Sequence, residues 1–145
     1  MLGALAVNCA MALRSSESRA ETWAAVMQLS SPSESGSRTT TAGRLPARWV
    51  IHTVGPVYRS EVDNSALLVS CYRESLRVAD GLGAETVAFP AVSAGIYGWP
   101  VEDAARIALT TVAAAGAAVA EARFVLFGAE TFEAFREVMV VQGLG

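Results

Sequence analysis

The stretch Phe89-Pro90-Ala91-Val92-Ser93-Ala94-Gly95-Ile96-Tyr97-Gly98-Trp99-Pro100 restricts the fold more than any other part of this chain. It opens as the end of a β-rich run, Thr86–Phe89, and passes through small residues. It closes on a proline followed by Glu102, Asp103 and an alanine-rich apolar run. Proline at the entry and acidic side chains in the first turn mark a helix start. A strand that hands its chain to a helix through a glycine-containing loop aims several backbone N–H groups at one point, where phosphate binds naturally. Gly95 and Gly98 allow close backbone approach and positive φ, Ser93 adds a hydroxyl, and Tyr97 offers a flat apolar face for a ribose or base. The same Gly-x-x-Gly spacing also occurs in ordinary strand-to-helix turns. It is neither the dinucleotide G-x-G-x-x-G nor a P-loop, since no Gly-Lys-Ser/Thr follows. A nucleic-acid clamp of the GXXG kind needs basic neighbours, and Ile96-Tyr97 are not basic.

The same alternation runs through the chain from Leu45 onward. Trp49–Val54 is a strand stopped by Gly55-Pro56. Asn64 or Ser65 caps a helix whose apolar positions are Leu68, Cys71/Tyr72, Ser75/Leu76, Ala79 and Leu82, with Gly81 and Gly83 as its stop. Thr86–Phe89 is a short strand, Val101 to about Ala118 a helix, and Arg123–Phe127 a strand. A last helix runs from Thr131 to about Val141, with Phe132, Phe135 and Val138/Met139 on one face and Gly143 beyond. Strands alternating with helices predict an α/β fold with a mostly parallel sheet and right-handed crossovers. Ligands of such sheets sit at the C-terminal strand ends, where the Val92–Trp99 loop lies. Residues 1–44 differ from the 45–145 body. Leu2–Val7 reads as a strand and Glu21–Leu29 as a short helix. From Ser30 to Thr41, eight of twelve residues are Ser or Thr, a composition that favours loop or disorder.

Composition removes several classes of function. The 145 residues suffice for one domain with a real core. Hydrophobic residues make up 52% of them, yet no uncharged apolar run approaches the roughly 18–20 residues of a membrane span. No basic n-region precedes Leu2–Val7, so a signal peptide is not expected. Cys9 and Cys71 do not make a disulfide framework, and one histidine gives no His-based zinc cluster. The expectation is a cytoplasmic protein without metal or cofactor. The net charge is −3 and the eleven basic residues, all arginine, are scattered, so no nucleic-acid surface is expected.

Single side chains carry little chemistry by themselves. His52 lies in a strand with no predictable orienting partner and reads as a buried, satisfied histidine. Cys71 sits on an apolar helix stripe and reads as packing. Glu102 and Asp103 read as first-turn partners of the helix dipole. Phe127, at a strand end beside Gly128, is a candidate purine-stacking side chain, with core packing as the alternative.

Together these residues resemble the macro domain family, the ADP-ribose-binding α/β/α module. The likeness runs over Arg44–Phe135. It rests on Leu45-Pro46-Ala47-Arg48-Trp49-Val50-Ile51-His52-Thr53-Val54-Gly55-Pro56, Ser70-Cys71-Tyr72-Arg73-Glu74-Ser75-Leu76, the Ala88–Pro100 segment and Ala104-Ala105-Arg106-Ile107-Ala108. It implies a three-layer fold in which backbone N–H groups across Ser93, Ala94, Gly95, Ile96, Tyr97 and Gly98 hold a diphosphate. Tyr97 then lies beside the distal ribose and Phe127 stacks on adenine. The bacterial branch with the Leu-Pro-Ala…Ile-His-Thr-Val-Gly-Pro segment is similar to enzymes that deacetylate O-acetyl-ADP-ribose and remove ADP-ribose from acidic side chains. The implied partners are ADP-ribose, O-acetyl-ADP-ribose and ADP-ribosylated protein.

The chain also departs from that pattern. Val7-Asn8-Cys9-Ala10-Met11-Ala12 resembles Val-Asn-Ala-Ala-Asn-Ser, which makes Asn8 a ligand-binding candidate and puts Met11 at the place of the second Asn. Between Met11 and Gly36 there is no glycine, aspartate or histidine, where the family carries a Gly-rich loop with an Asp. The strands that precede this point in the family, with their adenine-recognising Gly-Asp-Ile stretch, are not among these residues, so the N-terminal part of the sheet is expected to be incomplete. Residues 13–37 have the look of a GC-rich gene read out of frame between two in-frame segments. Three readings stay open: a hydrolase with catalytic residues unassigned, a non-catalytic ADP-ribose reader, and an inactive truncated relic.

Overall fold

The structure, a computed structural model, describes residues 6–11, 23–28, 38–44 and 47–144. Its elements in chain order are β1 (Ala6–Met11), β2 (Trp23–Gln28), β3 (Arg38–Thr41), β4 (Trp49–Thr53), α1 (Ser65–Gly81), β5 (Thr86–Phe89), α2 (Val101–Ala114), β6 (Glu121–Leu126) and α3 (Ala129–Gln142). The strands form one six-stranded sheet in the order β1-β6-β5-β2-β4-β3. All neighbours pair in parallel except β3, which runs antiparallel to β4 at one edge. The α/β class and the mostly parallel sheet therefore stand as the sequence implied.

From β4 to β5 and from β5 to β6 the chain moves across the sheet in the same direction. Right-handed crossovers then put both connecting helices on one face. Accordingly α1 packs on β4 and α2, α2 lies between α1 and α3, and α3 rests against β1. The described helices thus form one layer on one face of the sheet. Strand residues facing this layer are buried: Ile51, Val87, Phe89, Ala122, Phe124 and Leu126. An aromatic chain runs through its middle. The ring of Tyr72 lies 5.4 Å from Phe89 and 6.1 Å from Phe124, Phe89 stacks on Phe124 at 5.6 Å, and Phe124 meets Phe135 at 5.3 Å. Tilted and offset pairs of this kind add about 0.5–1.5 kcal/mol each beyond area burial.

Three expectations for the first 44 residues are corrected or moved. The helix read over Glu21–Leu29 is strand β2, seated between β4 and β5. Its Ala-Ala-Val-Met core has helix propensity, but an interior parallel strand asks mainly for apolar residues. The loop read over Ser30–Thr41 ends in β3, where three successive threonines suit an exposed antiparallel edge; residues 30–37 lie outside the described residues. The strand read over Leu2–Val7 falls at Ala6–Met11, and residues 2–5 lie outside the described residues. In the body, α2 stops at Ala114 rather than near Ala118, because Gly116 turns the chain at φ 59°. No described helix is long and apolar enough to cross a membrane.

Candidate functional site

The parallel strands end on one side of the sheet. There β5 releases residues 90–100, β6 releases Phe127, and β4 releases the connection 54–64 that leads into α1. The sequence pattern and the fold thus agree on which end carries the loop.

The loop is pinned at its ends and open in its middle. Val92 N–H donates to Pro90 O at 3.0 Å and to the Tyr72 hydroxyl at 3.1 Å. Ala94 N–H reaches Ala91 O at 3.2 Å, Gly98 N–H reaches Gly95 O at 2.9 Å, and Trp99 N–H returns to Ser93 O at 3.1 Å. Tyr58 N–H, from the connection before α1, donates to Tyr97 O at 2.9 Å. The N–H groups of Gly95, Ile96 and Tyr97 have no acceptor among the described residues. Gly95 and Ile96 are exposed, Ile96 to 95%. Three consecutive amides without an internal acceptor, in a loop that leads into a helix N-terminus, leave donors available to an anion.

The strain in this loop lies elsewhere than the glycines predict. Ser93, buried, has φ 66° and is the single non-glycine residue with positive φ among the described residues. Gly98 takes φ 71°, as expected, but Gly95 does not enter the left-handed region. A Cβ built on Gly95 meets nothing within 4 Å, so its glycine leaves open space rather than relieving the backbone. Ser93 in this conformation costs about 1–2 kcal/mol and persists only because its surroundings fix it.

The fixing contacts give Trp99 and Asp103 roles that the sequence did not assign. Trp99 is buried, and its indole N–H donates to Asp103 at 2.8 Å. Asp103 also pairs with Arg106. Burial works against ionisation of the Asp103 carboxyl, but the Trp99 and Arg106 contacts outweigh it and hold the group below its ordinary value. Asp103 is therefore more than a dipole partner, because it ties α2 to the loop. The Tyr58 ring meets Trp99 edge-on at 5.4 Å and walls a cavity of ≈ 320 Å³ with Asp63, Asn64 and Arg106. At the start of α1, Asn64 occupies the N-cap position without a side-chain cap bond and instead donates to Val57 O at 2.8 Å. Asp63 accepts the Ser65 N–H at 3.0 Å, and the Ser65 contacts lower its pKa.

The remaining candidates divide. Phe127 is 91% exposed next to Gly128 at φ 92°, which removes the core alternative and leaves a free aromatic face at the loop end of the sheet. Asn8 stands in edge strand β1 opposite Arg123 of β6, two strands from β5. The strand beside β5 on its other flank is β2. His52 is only half satisfied: Nε2 lies 2.9 Å from Thr40 Oγ1, while Nδ1 is buried without a partner among the described residues. Cys71 is buried and donates to Val54 O at 3.0 Å, and burial pushes its thiol above the ordinary value. It packs, as the helix stripe implied. Among the described residues no group of three or more His, Cys, Asp or Glu side chains is placed to hold a metal ion.

Comparison with known proteins supplies the family. Residues 15–108 match the Macro domain, a stretch that takes in most of the 13–37 segment. A macro domain-containing protein of Streptomyces coelicolor is 67% identical over 96 residues, covering 66% of this chain and 57% of that protein. A Citrobacter rodentium protein named O-acetyl-ADP-ribose deacetylase is 42% identical over 108 residues, covering 72% of this chain and 61% of its own length. A solved variant of the Oceanobacillus iheyensis macrodomain with ADPR superposes with a TM-score of 0.71 at 31% identity, covering 76% of this chain and 61% of that one. The chain spans less than two thirds of each of these relatives. With more than half its length inside the match, this chain belongs to the macro domain family.

Proposed function

We propose that this chain binds ADP-ribose at the C-terminal end of its sheet. The observation that carries the reading is the run of three acceptor-free amides, Gly95, Ile96 and Tyr97, in a loop tethered by α1, α2 and the connection before α1. In this reading Ser93, Ala94, Gly95, Ile96, Tyr97 and Gly98 surround the diphosphate, and donors to a charged oxygen are worth about 1.5–3 kcal/mol each. Phe127 stacks on the adenine, which its exposure permits. Asn8 is assigned to the ribose side by its place in the Val-Asn-Cys-Ala-Met stretch. The Oceanobacillus iheyensis relative solved with ADPR supports the choice of ligand.

Calorimetry with ADP-ribose tests this directly. The expected result is saturable binding that Gly95→Val weakens by at least about 100-fold, since a side chain there displaces two or more charged contacts. The same variant should keep its thermal midpoint, because the added Cβ meets nothing within 4 Å. No heat at millimolar ligand sinks the proposal, and unchanged affinity in Gly95→Val sinks the loop assignment.

A second reading, turnover of O-acetyl-ADP-ribose or of protein-linked ADP-ribose, is favoured by the name of the Citrobacter relative. Met11 at the place of an Asn, and the absence of glycine, aspartate and histidine between Met11 and Gly36, weigh toward binding without turnover. Acetate release from O-acetyl-ADP-ribose separates the two.

A further inference from the structure

Tyr72 is the one polar aromatic in the chain of rings Tyr72-Phe89-Phe124-Phe135. It is fully buried, and a phenylalanine would fill the same apolar volume. A buried hydroxyl is unfavourable unless it is hydrogen-bonded. Here the hydroxyl accepts the Val92 N–H at 3.1 Å. Burial holds the phenol protonated far above its ordinary value, so this contact does not change across the physiological pH range. Val92 directly precedes Ser93, whose φ of 66° is the strained point of the loop. The carbonyl of Ser93 then receives the Trp99 N–H, which closes the loop over the three acceptor-free amides.

We propose that Tyr72 is a positioning residue for the anion loop: its hydroxyl fixes Val92 and, through it, the strained turn at Ser93 that presents the Gly95–Tyr97 amides. Without that contact Val92 keeps only the tight bond to Pro90 O, and Ser93 is freer to leave the left-handed region. The loop then samples conformations in which its amides do not converge, and affinity falls by the fraction of time lost. The proposal rests on the ADP-ribose reading for its ligand, but the holding of the loop is observable without ligand.

The test is Tyr72→Phe, with Phe135→Leu as a core variant distant from the loop. Two quantities are measured: ADP-ribose affinity by calorimetry, and amide hydrogen exchange over residues 91–98 in the free protein. Tyr72→Phe is expected to weaken binding roughly five- to tenfold, the equivalent of one ordinary hydrogen bond. It should also speed exchange in the loop selectively. Phe135→Leu should lower the thermal midpoint as much or more while leaving affinity and loop exchange as in the parent. Parent-like affinity of Tyr72→Phe in a protein that binds, or parent-like loop exchange, overturns the proposal. If the parent shows no ADP-ribose binding, the ligand reading fails, and the exchange arm still decides whether Tyr72 holds the loop.

Discussion

Asp103 shows how one side chain serves two neighbours. Its carboxylate accepts the Trp99 indole N–H and pairs with Arg106, and its folded pKa lies below the ordinary 3.8. A depressed carboxylate stabilises the fold above its unfolded value, and that stability is lost as pH falls through the folded value. The thermal midpoint of the parent should therefore drop on acidification below about pH 3.8, and Asp103→Asn should remove part of that drop. Equal acid limbs in the two proteins would refute the linkage. At this scale the sequence was legible in part. It marked Gly95, Gly98 and Phe127, whose glycine spacing and strand-end position are local signals. It did not mark Ser93 as the strained residue, because tertiary contacts from Tyr72 and Trp99 hold that φ. Nor did it mark the Tyr72 hydroxyl, although a tyrosine on an otherwise apolar helix stripe is itself a sign of a buried partner.

Among the elements, those from β4 onward follow from local pattern, and β4, α1, α2 and α3 carry their own stops: Gly55-Pro56, Gly83 at φ 66°, Gly116 at φ 59° and Gly143 at φ 65°. Strand β2 was not legible, because its residues say apolar without saying strand, and only its two parallel neighbours decide. The junction between α1 and β6 shows a competition of known sign. Asp80 sits at the C-terminal end of α1, where the helix dipole disfavours a carboxylate by about 0.3–1 kcal/mol. It nevertheless accepts the Ala118 and Val119 N–H groups, at 3.0 and 3.2 Å. Two charge-assisted bonds at about 1.5–3 kcal/mol each outweigh the dipole even after exposure is allowed for. Asp80→Ala should accordingly lower unfolding stability by about 1–2 kcal/mol in urea titrations. A stabilised variant would show that the dipole term wins.

Across the molecule, the residue 90–100 loop is held by parts far apart in sequence yet all within residues 47–144: Tyr58, Tyr72, Trp99 and Asp103. Strands β1–β3 contribute to the sheet rather than to these tethers. A chain ending at residue 120 keeps the tethers but loses β6 and α3, and with them Phe124 and Phe135 from the aromatic core. It should show no cooperative thermal transition by circular dichroism, and a sharp two-state melt would place the stabilising core elsewhere. The parallel register of β1 with β6, Ala6↔Glu121 through Met11↔Leu126, has a further consequence in time. The first described strand waits for the last, 115 positions downstream in each pair (121 less 6, 126 less 11). At about 5–20 residues per second of synthesis that interval is roughly 6–23 s. For that interval the nascent chain carries a strand with no neighbour to close it, and the residue 90–100 loop is made before that neighbour exists.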